Sequence, residues 1–167
     1  VRGNLDRVLA ESRRAAGLGA DLVLFPELTL SGYPPEDLLF HRGLRAQVDG
    51  ALTELATAVV SAEGDTSLPA VMVGYPEYEG SAGAPRIYNA AVLLQRGQEP
   101  ARHRKSCLPN YRVFDEKRYF RAGAAPTLVD IGGLRAALLV CEDLWEPEPI
   151  LQARAAGAEL VLALNAS

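Results

Sequence analysis

Cysteine and histidine are scarce in this chain, with two of each among 167 residues. Two cysteines, Cys107 and Cys141, cannot form a disulfide framework, so each is read as a free thiol. His41 and His103 lack metal-ligand spacing, which argues against a zinc site, and no metal is expected. No apolar run reaches the roughly 18 residues that a membrane-spanning helix needs, so no membrane partner is expected. A basic excess is missing too: the formal net charge is −4, which argues against a nucleic-acid partner. No leader is visible, so a cytoplasmic location is expected, although a chain that opens at Val1 leaves an upstream segment open. What is present is a 49% apolar and 23% charged composition, that of a globular domain able to build a core.

The pattern alternates helices and strands. Leu5, Val8, Leu9, Ser12 and Ala16 share a helical face, with Asn4 expected as N-cap and Gly17 and Gly19 as the stop. Asp21–Phe25 reads as a short buried parallel strand, followed by a Gly/Pro-rich loop over 26–36. Leu44, Val48, Leu52, Leu55 and Val59 predict a helix over 43–62. Strands are predicted at Ala70–Tyr75 and Ile87–Gln95, with Arg96-Gly97 turning into a polar strand over Gln98–Arg104. A loop from Lys105 to Arg121 precedes the hairpin Thr127–Ile131 and Leu134–Val140, turned at Gly132-Gly133. A helix near Pro149–Ala156 then leads to the strand Glu159–Leu164. Arg14-Ala15-Ala16-Gly17 before the first strand is echoed by Arg154-Ala155-Ala156-Gly157 before the last; chance in Ala-rich sequence explains this as well as a repeated helix–strand unit does.

In open α/β sheets ligands collect beyond the carboxyl ends of the strands. Those ends here supply Glu27, Cys141 and, near the last strand, Ser167. Leu138-Leu139-Val140 delivers Cys141 into the acidic, turn-like Glu142-Asp143, which fits either a reactive thiol or a structural one. Cys107 is the rival nucleophile, because Arg102, Arg104 and Lys105 would favour its thiolate; those cations fit a solvated strand face better. A thiol nucleophile needs a base. Both histidines are expected at the surface, so the candidate is Glu27, whose apolar neighbours would desolvate it and raise its proton affinity. Lys105, at the end of the polar strand, would stabilise a thiolate and an oxyanion if held near the sulfur. Taken singly, each of the three fits an ordinary loop or surface role as well.

Together, "LVLFPELTLSGYPPEDLL", "RKSCLPNYRVFDEKRYF" and "LLVCEDLWEP" resemble the nitrilase, or carbon–nitrogen hydrolase, superfamily, in which Glu, Lys and Cys form the catalytic set. The order agrees, with Glu27 to Lys105 spanning 78 residues and Lys105 to Cys141 spanning 36. Within it, "GYPPEDLL", "LPNYRVFDEKRYF" and "CEDLW" are most similar to the glutaminase domains of glutamine-dependent NAD(+) synthetases. The resemblance implies an α/β fold, the nitrilase-like α-β-β-α sandwich. That sandwich would be incomplete here: residues 1–167 form part of the hydrolase domain, the strand before the first helix and the C-terminal part are missing, and a synthetase domain is absent from the chain. Such a piece is expected to leave sheet faces uncovered and to be marginally stable alone. The implied reaction is hydrolysis of the side-chain amide of glutamine, with Cys141 as nucleophile, Glu27 as base, and Lys105 and the Glu142 N–H at the oxyanion. Glu116 would support the lysine, and Tyr111, Phe114, Glu142, Trp145 and Ser167 would contact substrate; for the three aromatics, core packing is an equal alternative. No cofactor is implied for the hydrolase; ATP and Mg2+ belong to the missing synthetase domain, which is the implied partner along with a homo-oligomer. Two other readings compete: a free-standing amidase or carbamoylase acting on another small amide, and an inactive binding or assembly module.

Overall fold

A computed structural model describes residues 1–61, 65, 67–81 and 85–166. Among these residues the α-helices are α1 (Arg2–Gly17), α2 (Arg42–Val60), the single turn α3 (Glu116–Tyr119) and α4 (Pro147–Ala155). Seven strands are β1 (Leu22–Leu24), β2 (Ala70–Glu79), β3 (Arg86–Leu94), β4 (Ala101–Arg104), β5 (Thr127–Ile131), β6 (Leu134–Val140) and β7 (Leu160–Leu164). They form two sheets, of order β1-β2-β3-β4 and β5-β6-β7.

The expected order of elements is observed, with differences at the ends. Helix α1 starts at Arg2, so Asn4 is not its N-cap; Asn4 lies within the first turn, and its amide donates to the Thr29 carbonyl at 2.8 Å. Helix α2 is capped instead by the His41 ring, which accepts the Gly43 N–H. Residue 62, the expected end of that helix, lies outside the described residues. Strand β1 is parallel to β2, as expected, but is only partly buried because it is the sheet's edge. The polar strand is shorter than expected, and the loop after it contains the single helical turn α3 at Glu116–Tyr119 rather than coil throughout. Gly132 and Gly133 have φ of 57° and 82°, the pair of positive values that a two-residue hairpin of this twist demands.

Period-two alternation sorts the strand residues onto two faces. Val71, Val73, Ala90, Val92 and Leu94 pack against Leu5, Val8, Val48 and Leu55 of α1 and α2. Met72, Ala91 and Leu93 turn the other way and meet Ala136, Leu138, Val140, Leu162 and Leu164 of the second sheet. The parallel pair β6 and β7 needs a crossover, and α4 supplies it. One face of that sheet is taken by its partner sheet, so the helix must lie on the other. The layers therefore run helix, sheet, sheet, helix. Leu24, Leu160 and Val161 at the sheet edges are 37–38% exposed, and Leu151 of α4 is 58% exposed.

Candidate active site

β1 ends in a tight turn, in which Thr29 N–H returns to the Pro26 carbonyl and Leu28 takes φ 52°. That turn lays Glu27 inward, 1% exposed. Gly74 of β2 makes the approach possible: a Cβ there would collide with the backbone of Pro26, Glu27 and Leu28. Along β4 and the residue that follows it, Ala101, His103 and Lys105 alternate with Arg102 and Arg104. The odd-numbered three therefore face the inter-sheet layer, and both His103 and Lys105 are buried. The expectation of a surface His103 is thus wrong: the "RHRK" run alternates in and out rather than forming one solvated face. His41 is exposed, as expected.

Lys105 Nζ donates to Glu27 Oε1 and to Glu116 Oε1, each at 2.8 Å. Desolvation opposes the charge on this buried ammonium, but the two carboxylates outweigh it and raise its pKa above the ordinary value. Glu116 is raised by burial, with Lys105 acting against the shift. Asn89 of β3 donates from its side-chain amide to Glu27 Oε1 at 2.7 Å, and its main-chain carbonyl accepts the Lys105 main-chain N–H at 2.8 Å. Glu27 Oε2 is left with no hydrogen-bond partner among the described residues.

Cys141 ends β6 and opens a 3₁₀ turn, Cys141–Leu144, with its own backbone at φ 45°. An L-residue in that region costs roughly 1–3 kcal/mol and persists only where the surroundings enforce it. The thiol is partly buried, and its pKa is pushed up to about 11, first by burial and then by the Glu27 charge, against the pull of Lys105. It therefore rests protonated at neutral pH beside the Glu27 carboxylate. Cys107 is also raised by burial, opposite to the cation-activated thiolate considered for it.

Tyr111 donates to Glu142 Oε1 at 2.9 Å, and Phe114 stands edge-on to the Tyr111 ring at 5.7 Å between centroids. Tyr111 is 51% exposed and Trp145 77%, so neither is a core residue. Phe114 and Glu116 line a cleft of about 550 Å³ with Leu28 and Tyr33. Ser167 lies outside the described residues. Two buried residues were missed in the sequence: Asn89, inside an apolar strand, and Asp143, taken only as turn-like acid. The out-of-place polar residue in "YNAAVLL" was the available signal for the first.

The Carbon-nitrogen hydrolase family model matches residues 1–167. The chain belongs to the carbon–nitrogen hydrolase family. It is 43% identical over 170 residues to a glutamine-dependent NAD(+) synthetase of Xanthomonas campestris pv. campestris, covering all of this chain and 29% of that protein. The solved glutamine-dependent NAD+ synthetase of Acinetobacter baumannii superposes with a TM-score of 0.88 at 31% identity, over 99% of this chain and 30% of that one. A variant of the amidase from Nesterenkonia sp. AN1 gives 0.81 at 31% identity, over 98% and 59%; it carries the acetamide moiety of fluoroacetamide covalently at its active-site cysteine. The carbon–nitrogen hydrolase chain thus spans less than a third of the synthetases that it matches.

Proposed function

We propose that the site hydrolyses the side-chain amide of glutamine to glutamate and ammonia, through a thioester on Cys141. The observation that carries this reading is a buried Lys105 ammonium held between Glu27 and Glu116, beside a protonated thiol within reach of the Glu27 carboxylate. A thiol raised to about 11 supplies little thiolate at pH 7, so attack requires removal of its proton as the C–S bond forms. Glu27 Oε2 takes that proton while the sulfur adds to the amide carbon. Lys105 and the Glu142 N–H stabilise the oxyanion. Collapse breaks the C–N bond, and Glu27 passes the proton to the leaving ammonia. Water then gives a proton to Glu27 and its oxygen to the thioester carbon, releasing glutamate and restoring the thiol.

The ends of the substrate fit the rim. Glu142 offers a carboxylate to the α-ammonium, Tyr111 orients Glu142, Phe114 walls the pocket with Trp145 nearby, and Ser167 would meet the α-carboxylate. Identity of 43% to a glutamine-dependent NAD(+) synthetase supports glutamine over other amides, and the short span of that relative supports a synthetase domain elsewhere in the same protein. That domain would use the ammonia, with ATP and Mg2+, to amidate deamido-NAD(+), within a homo-oligomer. The likeness to the Nesterenkonia amidase favours a second reading, hydrolysis of another small amide without a synthetase.

The full-length protein should release ammonia from glutamine and form a covalent adduct on Cys141 with a diazoketone analogue of glutamine; Cys141→Ala should abolish both. Labelling without glutamine turnover, alongside turnover of simple amides, would favour the amidase. Neither labelling nor turnover in the wild type would leave an inactive module.

A further inference from the structure

Asp143 is fully buried, and its carboxylate accepts five hydrogen bonds from three segments of the chain. Oδ1 takes the Ser106 N–H at 2.9 Å, the Ser106 hydroxyl at 2.7 Å and the Cys107 N–H at 2.8 Å. Oδ2 takes the Val140 N–H at 3.0 Å and faces His103 Nε2 at 3.0 Å. Burial alone would raise this carboxyl, but His103 and the backbone and hydroxyl donors hold it below the ordinary carboxylate range. Ser106, Asp143 and His103 do not make a serine triad, because the carboxylate rather than the imidazole faces the hydroxyl.

The bonded groups lie next to the reacting ones. Ser106 follows Lys105, Val140 precedes Cys141, and the buried His103 of β4 lies two residues before Lys105. The two sheets supply the lysine and the thiol separately, and the Asp143 carboxylate ties their ends together. It also closes the 3₁₀ turn in which Cys141 is held at φ 45°. We infer that Asp143, with His103, is a positioning residue: it sets the distance between the Lys105 ammonium and the Cys141 sulfur and holds the nucleophile in its left-handed backbone conformation. This rests on the amide-hydrolase reading for its consequence in turnover, though not for its consequence in thiol reactivity.

Asp143→Asn keeps the shape but places an amide N–H₂ on one side, so either the Val140 N–H or the Ser106 and Cys107 donors lose their acceptor. The rate of Cys141 alkylation by iodoacetamide in full-length protein, resolved by peptide mass spectrometry well below the unfolding temperature, should fall about ten- to a hundredfold. That is the scale expected when reacting groups move by up to ~1 Å, and glutamine turnover should fall with it. A role in global stability alone would lower the unfolding temperature and leave this rate unchanged, which would overturn the inference. If Asp143→Asn does not fold, His103→Leu and His103→Gln decide: slow alkylation in the first, largely restored by the amide donor of the second, supports positioning, and equal rates in both and wild type overturn it. Iodoacetamide needs no substrate pocket. Slowed alkylation in a protein that hydrolyses no glutamine would therefore refute the proposed reaction and leave the positioning role standing.

Discussion

The amide of Asn89 donates to Glu27 Oε1, the same oxygen that receives Lys105 Nζ. With both donors on Oε1, the carboxylate is held in rotation, and the proposed proton transfer would fall to Oε2. Asn89 sits at a position facing the inter-sheet layer, where an apolar residue would otherwise pack, so its amide has a cost that packing does not recover.

Asn89→Ala is expected to lower kcat for glutamine by at least tenfold with little change in KM, because it frees the proposed base, Glu27, to rotate without touching the rim. Loss of the buried bond should also cost about 1–3 kcal/mol in urea unfolding. A kcat equal to wild type would show that Lys105 alone orients Glu27.

Lys105→Met removes the proposed oxyanion donor and strands two buried carboxylates beside each other. Turnover should drop by about 10²–10³. Breaking a buried pair on one side typically costs roughly 3–5 kcal/mol, so chemical denaturation should report a loss of that order. Because adjacent carboxylates resist joint ionisation, the loss should be smaller at pH 5 than at pH 8.

The raised Cys141 pKa gives a signed pH dependence. The difference in thiolate absorbance between wild type and Cys141→Ser should rise with pH with a midpoint near 11, above the ordinary 9.0. The fold favours the neutral thiol, so this group's contribution to stability is complete below about pH 9 and is lost as pH rises through 11. Glu27→Gln removes the charge that raises the pKa and should move the midpoint down; an unmoved midpoint would deny their proximity.

Gly74→Ala and Gly123→Ala should each impair turnover, since a Cβ at Gly74 meets the Glu27 turn and one at Gly123 meets the Arg104 carbonyl just before Lys105. Overpacking of this kind typically costs about 1–3 kcal/mol. Gly50→Ala, in an open position on α2, should instead stabilise by roughly 0.5–1 kcal/mol and leave turnover unchanged. Thermal unfolding of the three variants in parallel would check the contrast.

Local pattern alone sufficed for most of the fold, because helical and strand periodicities are written in adjacent residues. The apolar runs of Ala70–Tyr75 and Leu134–Val140, and the paired glycines at 132 and 133, needed no tertiary knowledge. The start of α1 did not follow, since Asn4 spends its side chain on the distant Thr29 carbonyl rather than on its own helix. The "RHRK" run misled because charge was read before alternation.

The sequence by itself determined the three motifs and the order in which they carry Glu27, Lys105 and Cys141, the set proposed to be catalytic. It could not determine how these meet, since the three lie on ends of strands in two different sheets. Only the tertiary structure decided that Lys105 is fully buried between Glu27 and Glu116, that Cys141 rests as a thiol, and that Asn89 and Asp143 brace the cluster. The reason is physical: burial and long-range hydrogen bonds depend on which strands become neighbours, and the charge state of each group depends on both.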